Sequence, residues 1–139
     1  MTKLAIACDH GGYALKEKIK QEFSGLDWLD LGTDSDESVD YPAFGKAMGE
    51  AITNGDAPRG IVICGSGIGI SIAANRFPAV RAALCTSVEM AELSRQHNNA
   101  NVLALGARIT DEETAMACVR AFLATEFEGG RHERRVSQL

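Results

Sequence analysis

The chain lacks an excess of positive charge. Its 139 residues carry 14 lysines and arginines against 19 acidic residues, a formal net charge of -5. Binding to a phosphate backbone needs a basic surface, so nucleic acid is excluded as the main partner. The four cysteines, Cys8, Cys64, Cys85 and Cys118, form no CxxC pair and no other metal-ligand spacing. That argues against a cysteine-ligated metal centre and a disulfide framework, and reduced thiols are expected. No apolar run is long enough to span a membrane, and the opening strand pattern meets Asp9 too soon for a signal peptide, so a cytoplasmic chain without membrane contact is expected. Internal repeats, low-complexity runs and linkers are also missing. With 45% apolar residues, one domain over residues 1–139 can bury a core without a staple.

What is present is an alternation of short apolar runs and helical periodicities. Lys3 to Cys8 predicts a buried strand, followed by the polar turn Asp9-His10-Gly11-Gly12 and a helix through Leu15, Ile19 and Phe23. Leu26 to Leu31 alternates as an edge strand does, and an acidic loop, Gly32 to Asp40, leads to a helix starting at Pro42. A third strand ends at Cys64, and a helix from Ile68 to Asn75 follows it with apolar residues on nearly every side, a pattern that invites cover from a second subunit. Val80 to Cys85 and Val102 to Leu105 predict the fourth and fifth strands. Each precedes an S/T-x-x-E capping box, Thr86 with Glu89 and Thr110 with Glu113. The tail, residues 129–139, is short, basic and glycine-hinged. The expectation is a five-stranded parallel sheet with helices on both faces, of order 2-1-3-4-5, binding its ligand at the carboxyl ends of strands one and three.

Those two ends carry Cys8-Asp9-His10 and Cys64-Gly65-Ser66. The glycines at 65, 67 and 69 fit no nucleotide loop: a dinucleotide fingerprint needs a small residue where Ile70 stands, and the G-K-[S/T] of a P-loop is absent. A Cys-x5-Arg phosphatase loop fails at the same Ile70. Two readings remain. The glycines either permit close strand-to-helix packing, or leave the amides around residues 65 to 70 free as an oxyanion cradle. Cys64 would face the positive end of the following helix, where a thiolate is favoured, and so is a candidate base or nucleophile. His97, in the polar run Arg95 to Asn101, reads either as a helix cap or as an acid/base group. Arg131 and Arg135, one helical turn apart, either face solvent or suit a phosphate.

Taken together, CDHGG at 8–12, DYP at 40–42, ICGSGIGISIAANR at 63–76, SRQHNNANVLALGAR at 94–108 and GGRHERR at 129–135 resemble the ribose-5-phosphate isomerase B family, with galactose-6-phosphate isomerase subunits as relatives. The resemblance covers nearly the whole chain. It implies reversible aldose-ketose isomerisation of a sugar phosphate through ring opening and an enediolate, without metal, nucleotide or other cofactor. By the same resemblance Cys64 is the base moving the proton between C1 and C2. Ser66 and the amides of Gly65, Ser66, Gly67, Ile68 and Gly69 hold the enediolate oxygen. His97, assisted by Asp9, opens the furanose ring. His10, Arg131 and Arg135 contact the phosphate, and Asn98, Tyr41 and Arg108 are further substrate contacts. A homodimer with composite sites is implied, with a tetramer as an alternative. Some relatives carry threonine where Ser66 stands, and others place a glutamate base near Ile72; the isoleucine favours the cysteine mechanism. Six-carbon sugar phosphates such as allose or galactose 6-phosphate remain alternative substrates, and a non-catalytic sugar-phosphate sensor is the alternative of another class.

Overall fold

A computed structural model describes residues 2–139. Its centre is a wholly parallel five-stranded sheet of β1 (Lys3–Cys8), β2 (Asp27–Asp30), β3 (Arg59–Cys64), β4 (Ala82–Leu84) and β5 (Val102–Gly106). Between the strands run α1 (Tyr13–Glu22), α2 (Tyr41–Asn54), α3 (Ile68–Ala74) and α4 (Val88–Asn98); α5 (Glu112–Ala124) and the short α6 (Arg131–Val136) complete the chain. Alternation along the strands sorts the core into two layers. Leu4, Ile6, Ile61, Ile63, Leu103 and Leu105 pack with residues of α1 and α5, while Ala5, Ala7, Val62, Val102 and Ala104 pack with residues of α2 and α3. No helix among the described residues is long and apolar enough to cross a membrane.

The fold class is as expected, but the strand order is 2-1-3-5-4 rather than 2-1-3-4-5. Burial explains the exchange. Every residue of β5 is buried, whereas the three residues of β4 are only partly so. The central seat beside β3 needs apolar cover on both faces, so it goes to the longer strand, and β4 takes the edge.

Both capping boxes are displaced by one residue. Ser87, not Thr86, caps α4 by accepting from the Met90 amide, and Asp111, not Thr110, caps α5 by accepting from the Thr114 amide. Serine and aspartate outrank threonine as caps, and in each pair the better cap takes the position. On the other sheet face, small residues set the spacing. A Cβ on Gly45 would sit 2.5 Å from the Ala73 Cβ, so α2 and α3 touch at van der Waals distance.

Candidate active site

The carboxyl ends of β1, β3 and β5 converge on a cleft of about 560 Å³. Asp9, Tyr41, Cys64, Gly65, Ser66, Ile68, Gly69 and Arg108 line it, all sequence candidates; Ile72 and Ile109 also line it and were not expected. At the tip of β1 the Asp9 Oδ1 accepts from the amides of Gly11 at 2.9 Å and Gly12 at 3.3 Å. This cap fixes the carboxylate at the mouth of the cleft. His10 beside it holds its Nδ1 3.1 Å from both the amide and the carbonyl of Val39. A neutral ring accepting from that amide carries its proton on Nε2, free to donate elsewhere.

β3 delivers Cys64, whose Sγ accepts from the Gly67 amide at 3.2 Å. Gly67 has φ of 78°, and a Cβ there would lie 2.6 Å from Leu84 Cδ1, so both conformation and space require glycine. The Ser66 hydroxyl accepts from the Ile68 amide at 3.2 Å. Two amides of the expected cradle, those of Gly67 and Ile68, are therefore already engaged. The loop after β5 closes the other wall: Ala107 and Arg108 donate to the carbonyls of Cys64 and Gly65, each at 2.9 Å. The Arg108 guanidinium lies across Gly65, where a Cβ would come within 3.4 Å of it. Tyr41 rests on Gly69 in the same way, 2.5 Å from where a Cβ would be.

The other three thiols are unsuited to chemistry. Burial pushes Cys8 up to about 11 and Cys85 up to about 12, and it raises Cys118 as well. A larger hollow, about 650 Å³, lies beside Lys18 and Arg120, but its walls are tied by surface ion pairs, Lys18 to Glu112 and Arg120 to Glu22, and it holds no nucleophile.

His97, Asn98, Arg131 and Arg135 do not line the cleft. α4 starts near the carboxyl end of β4 and runs antiparallel to the strands, so His97 and Asn98 sit just before the first residue of β5. The register pairs Gly60 with Val102 and Cys64 with Gly106, so Cys64 lies at the opposite end of the same ladder. Four strand steps of about 3.3 Å put roughly 13 Å of sheet between the two groups. At this amino end Arg95 is buried and ties the helix ends together, donating to the carbonyls of Ala100 at 2.6 Å and Thr125 at 3.2 Å. His97 stacks on His132 of α6, centroids 4.2 Å apart and planes 12° from parallel. Burial first, then the charges of His97 and Arg131, hold the His132 imidazole below the usual histidine range. Arg131 and Arg135 are exposed on α6.

His132 and Glu128 were not among the sequence candidates. Their i,i+4 spacing across the glycine hinge was the available signal.

The family described as Ribose/Galactose Isomerase matches residues 4–139. The chain is 45% identical over 141 residues to ribose-5-phosphate isomerase B of Escherichia coli, covering all of this chain and 95% of that one. Its structure superposes on that of ribose-5-phosphate isomerase B from Clostridium thermocellum with a TM-score of 0.96, at 50% identity, covering 99% of this chain and 94% of that one. The Mycoplasma genitalium enzyme with bound ribulose-5-phosphate gives a TM-score of 0.91 at 40% identity, covering 99% and 93%.

Proposed function

The chain belongs to the ribose/galactose isomerase family, and from that premise we infer that it interconverts ribose 5-phosphate and ribulose 5-phosphate. One observation carries the mechanism: a cysteine at a strand tip, its sulfur held by the Gly67 amide inside a glycine-lined cleft. A thiolate placed there takes the proton from C2 of the open-chain aldose. The electron pair moves into the C1–C2 bond and charge develops on O1. Amides of Gly65, Ser66 and Gly69, with the Ser66 hydroxyl, stabilise that oxygen, while Arg108 adds positive charge across Gly65. Return of the proton to C1, with the O2 proton passing to O1, leaves the ketose.

Before this step the furanose must open. His97 protonates the ring oxygen as the C1–O bond to it breaks, and the O1 proton is lost to a base, a step that Asp9 assists from the cleft. The phosphate lies at the far end of the sugar from C1 and C2, so it falls to His10, Arg131 and Arg135, with Asn98 and Tyr41 as further contacts.

One chain does not bring these groups together, because roughly 13 Å of sheet separates Cys64 from His97. A homodimer in which a second copy supplies His97, Asn98, Arg131 and Arg135 resolves the geometry. Ile68 and Ile72, both about half exposed beside the cleft, offer apolar surface for such contact.

Incubation with ribose 5-phosphate, monitored for ketose, tests the reading; tight binding without turnover would replace it with a sensor. The family description also covers galactose isomerases, so kcat/KM on ribose 5-phosphate and on allose and galactose 6-phosphates, measured side by side, fixes the sugar. His97→Asn should slow the cyclic substrate more than an open-chain analogue, and equal losses would remove ring opening from its role.

A further inference from the structure

Where α4 ends and α6 begins, His97, Glu128 and His132 form a cluster of which the proposed reaction uses only the first. Their ligand atoms all lie within 4.8 Å of one another. The Glu128 Oε1 stands 3.5 Å from the His132 Nε2 and 4.0 Å from the His97 Nε2. His132 is 6% exposed, and its Nε2 is a buried atom with no hydrogen-bond partner among the described residues. Leaving such an atom unsatisfied is unfavourable, and a ligand that accepts its lone pair would relieve it.

The donor set narrows the chemistry. Two imidazoles and one carboxylate suit zinc and neighbouring divalent transition ions, whereas magnesium and calcium prefer all-oxygen shells. Bonds of about 2.0–2.1 Å in a tetrahedron require donors roughly 3.4 Å apart, so the cluster, whose ligand atoms span up to 4.8 Å, must contract by about 1.4 Å at its widest. The rings, now nearly parallel, must also splay so that both lone pairs converge. The side chains free to do this are on the surface: His97 is 38% and Glu128 50% exposed, while His132 is the fixed point. The backbone already brings the three together, since the Glu128 amide donates to the Gln96 carbonyl at 3.1 Å and the Gly129-Gly130 turn leads from Glu128 into α6, which carries His132. Arg131 and Arg135, exposed on the same short helix as His132, oppose a cation and weaken its binding.

We propose that His97, Glu128 and His132 form a site for one divalent transition ion of the zinc class, with a fourth position open, and that loading it inhibits the enzyme. A metal on the His97 Nε2 leaves that nitrogen no proton to give. The inhibition rests on His97 as the ring-opening acid; the binding does not.

The test is titration of the intact protein with Zn²⁺ by calorimetry and with Co²⁺ by absorbance. One ion per chain is expected, with visible Co²⁺ bands of nitrogen and oxygen ligation. Glu128→Gln and His132→Asn should each weaken binding tenfold or more, and Cys64→Ser should not change it. Because Glu128 is exposed, its variant tests the site even if the change at His132 unsettles α6. Absence of binding below millimolar Zn²⁺, or an intense thiolate-to-cobalt band that vanishes in Cys64→Ser, overturns the site. In the activity assay Zn²⁺ should inhibit the wild type reversibly, with activity restored by chelation, and inhibit Glu128→Gln only at tenfold higher concentration. Full turnover with the ion bound through these three side chains would keep the site, overturn the inhibition and count against His97 as the acid.

Discussion

The carboxyl and amino ends of the sheet are built by different means. At the carboxyl end the backbone does the positioning: the Gly11 and Gly12 amides donate to the Asp9 carboxylate, the Gly67 amide holds the Cys64 sulfur, and the loop after β5 is bonded to the loop after β3. At the amino end, His97, Arg131 and Arg135 are long side chains standing off helix ends. Arg95, the histidine stack and the Glu128 amide on the Gln96 carbonyl order their surroundings. Proton transfer between neighbouring carbons tolerates little misplacement, and its groups sit where a single chain can fix them. Gripping and opening the sugar fall to surface groups, whose order comes from what they dock against.

The sharpest way to break this division is to remove its two central groups and then recombine them. Cys64→Ala should lower kcat by about 10²- to 10⁴-fold, and near-normal turnover would remove the thiolate as base. If the ends act across subunits, Cys64→Ala and His97→Asn chains co-assembled at equal amounts should form mixed dimers with one intact site. Random pairing then restores roughly a quarter of wild-type activity, about 25- to 2,500-fold above the Cys64→Ala chain alone. A mixture no more active than its components would return both halves to one chain.

A further test reaches the support beneath the carboxyl end. Lys16 is fully buried, and its Nζ donates to Asp30 at 2.7 Å and to the Thr33 carbonyl at 2.6 Å. Burial alone would raise the Asp30 carboxyl, but hydrogen bonds from Lys16 and Lys20 outweigh it and hold the group below its usual range. Asp30→Asn would strand the buried ammonium and should cost about 3 kcal/mol, read by urea unfolding. The lowered carboxyl also sets the sign of a pH effect. Its stabilisation is complete above the ordinary carboxylate range and is lost as pH falls through the lowered value, so wild type should weaken below about pH 4. Asp30→Asn should lose less over that interval, and an unchanged slope would show that the ion pair does not report on folding. His97 and α6 should be indifferent to the change.

The same contrast governs what could be read from the sequence. β1 and β3 were legible because apolar runs, β-branched in β3, that end in Asp9 and in the glycines state both the strand and its limit. The cradle was legible as a set of glycines, but not that Gly67 and Ile68 had already committed their amides, which depends on loop closure. The order of β4 and β5 turned on relative burial, which no single strand pattern states. The caps were off by one because Thr86 and Thr110 satisfy the motif while Ser87 and Asp111, the stronger caps, stand next in line. At the amino end, His97, Arg131 and Arg135 were candidates from position and spacing, each with a second reading, and the family resemblance chose between the readings. Their distance from Cys64 is a property of the ladder, invisible until α4 is laid against the sheet, and His132 was hidden among the charges of the tail.

The smallest expected effect bears on where the phosphate sits. Arg131→Ala and Arg135→Ala should each raise KM for ribose 5-phosphate about tenfold, the loss of one charge-assisted contact, with kcat within a few-fold of wild type. Lysine at either position keeps the charge but not the planar fork, so it should recover only part of the loss. Because the two guanidiniums would share one phosphate, the double variant should fall short of the product of the singles. The competing cation is Arg108 in the cleft, across Gly65 from the thiol. If it stabilises charge developing on O1, Arg108→Ala lowers kcat more than it raises KM. Should the pattern reverse, with KM following Arg108 and indifferent to α6, the phosphate would lie at the carboxyl end. The division of labour between the two ends of the sheet would then have to be redrawn with the sugar turned end for end.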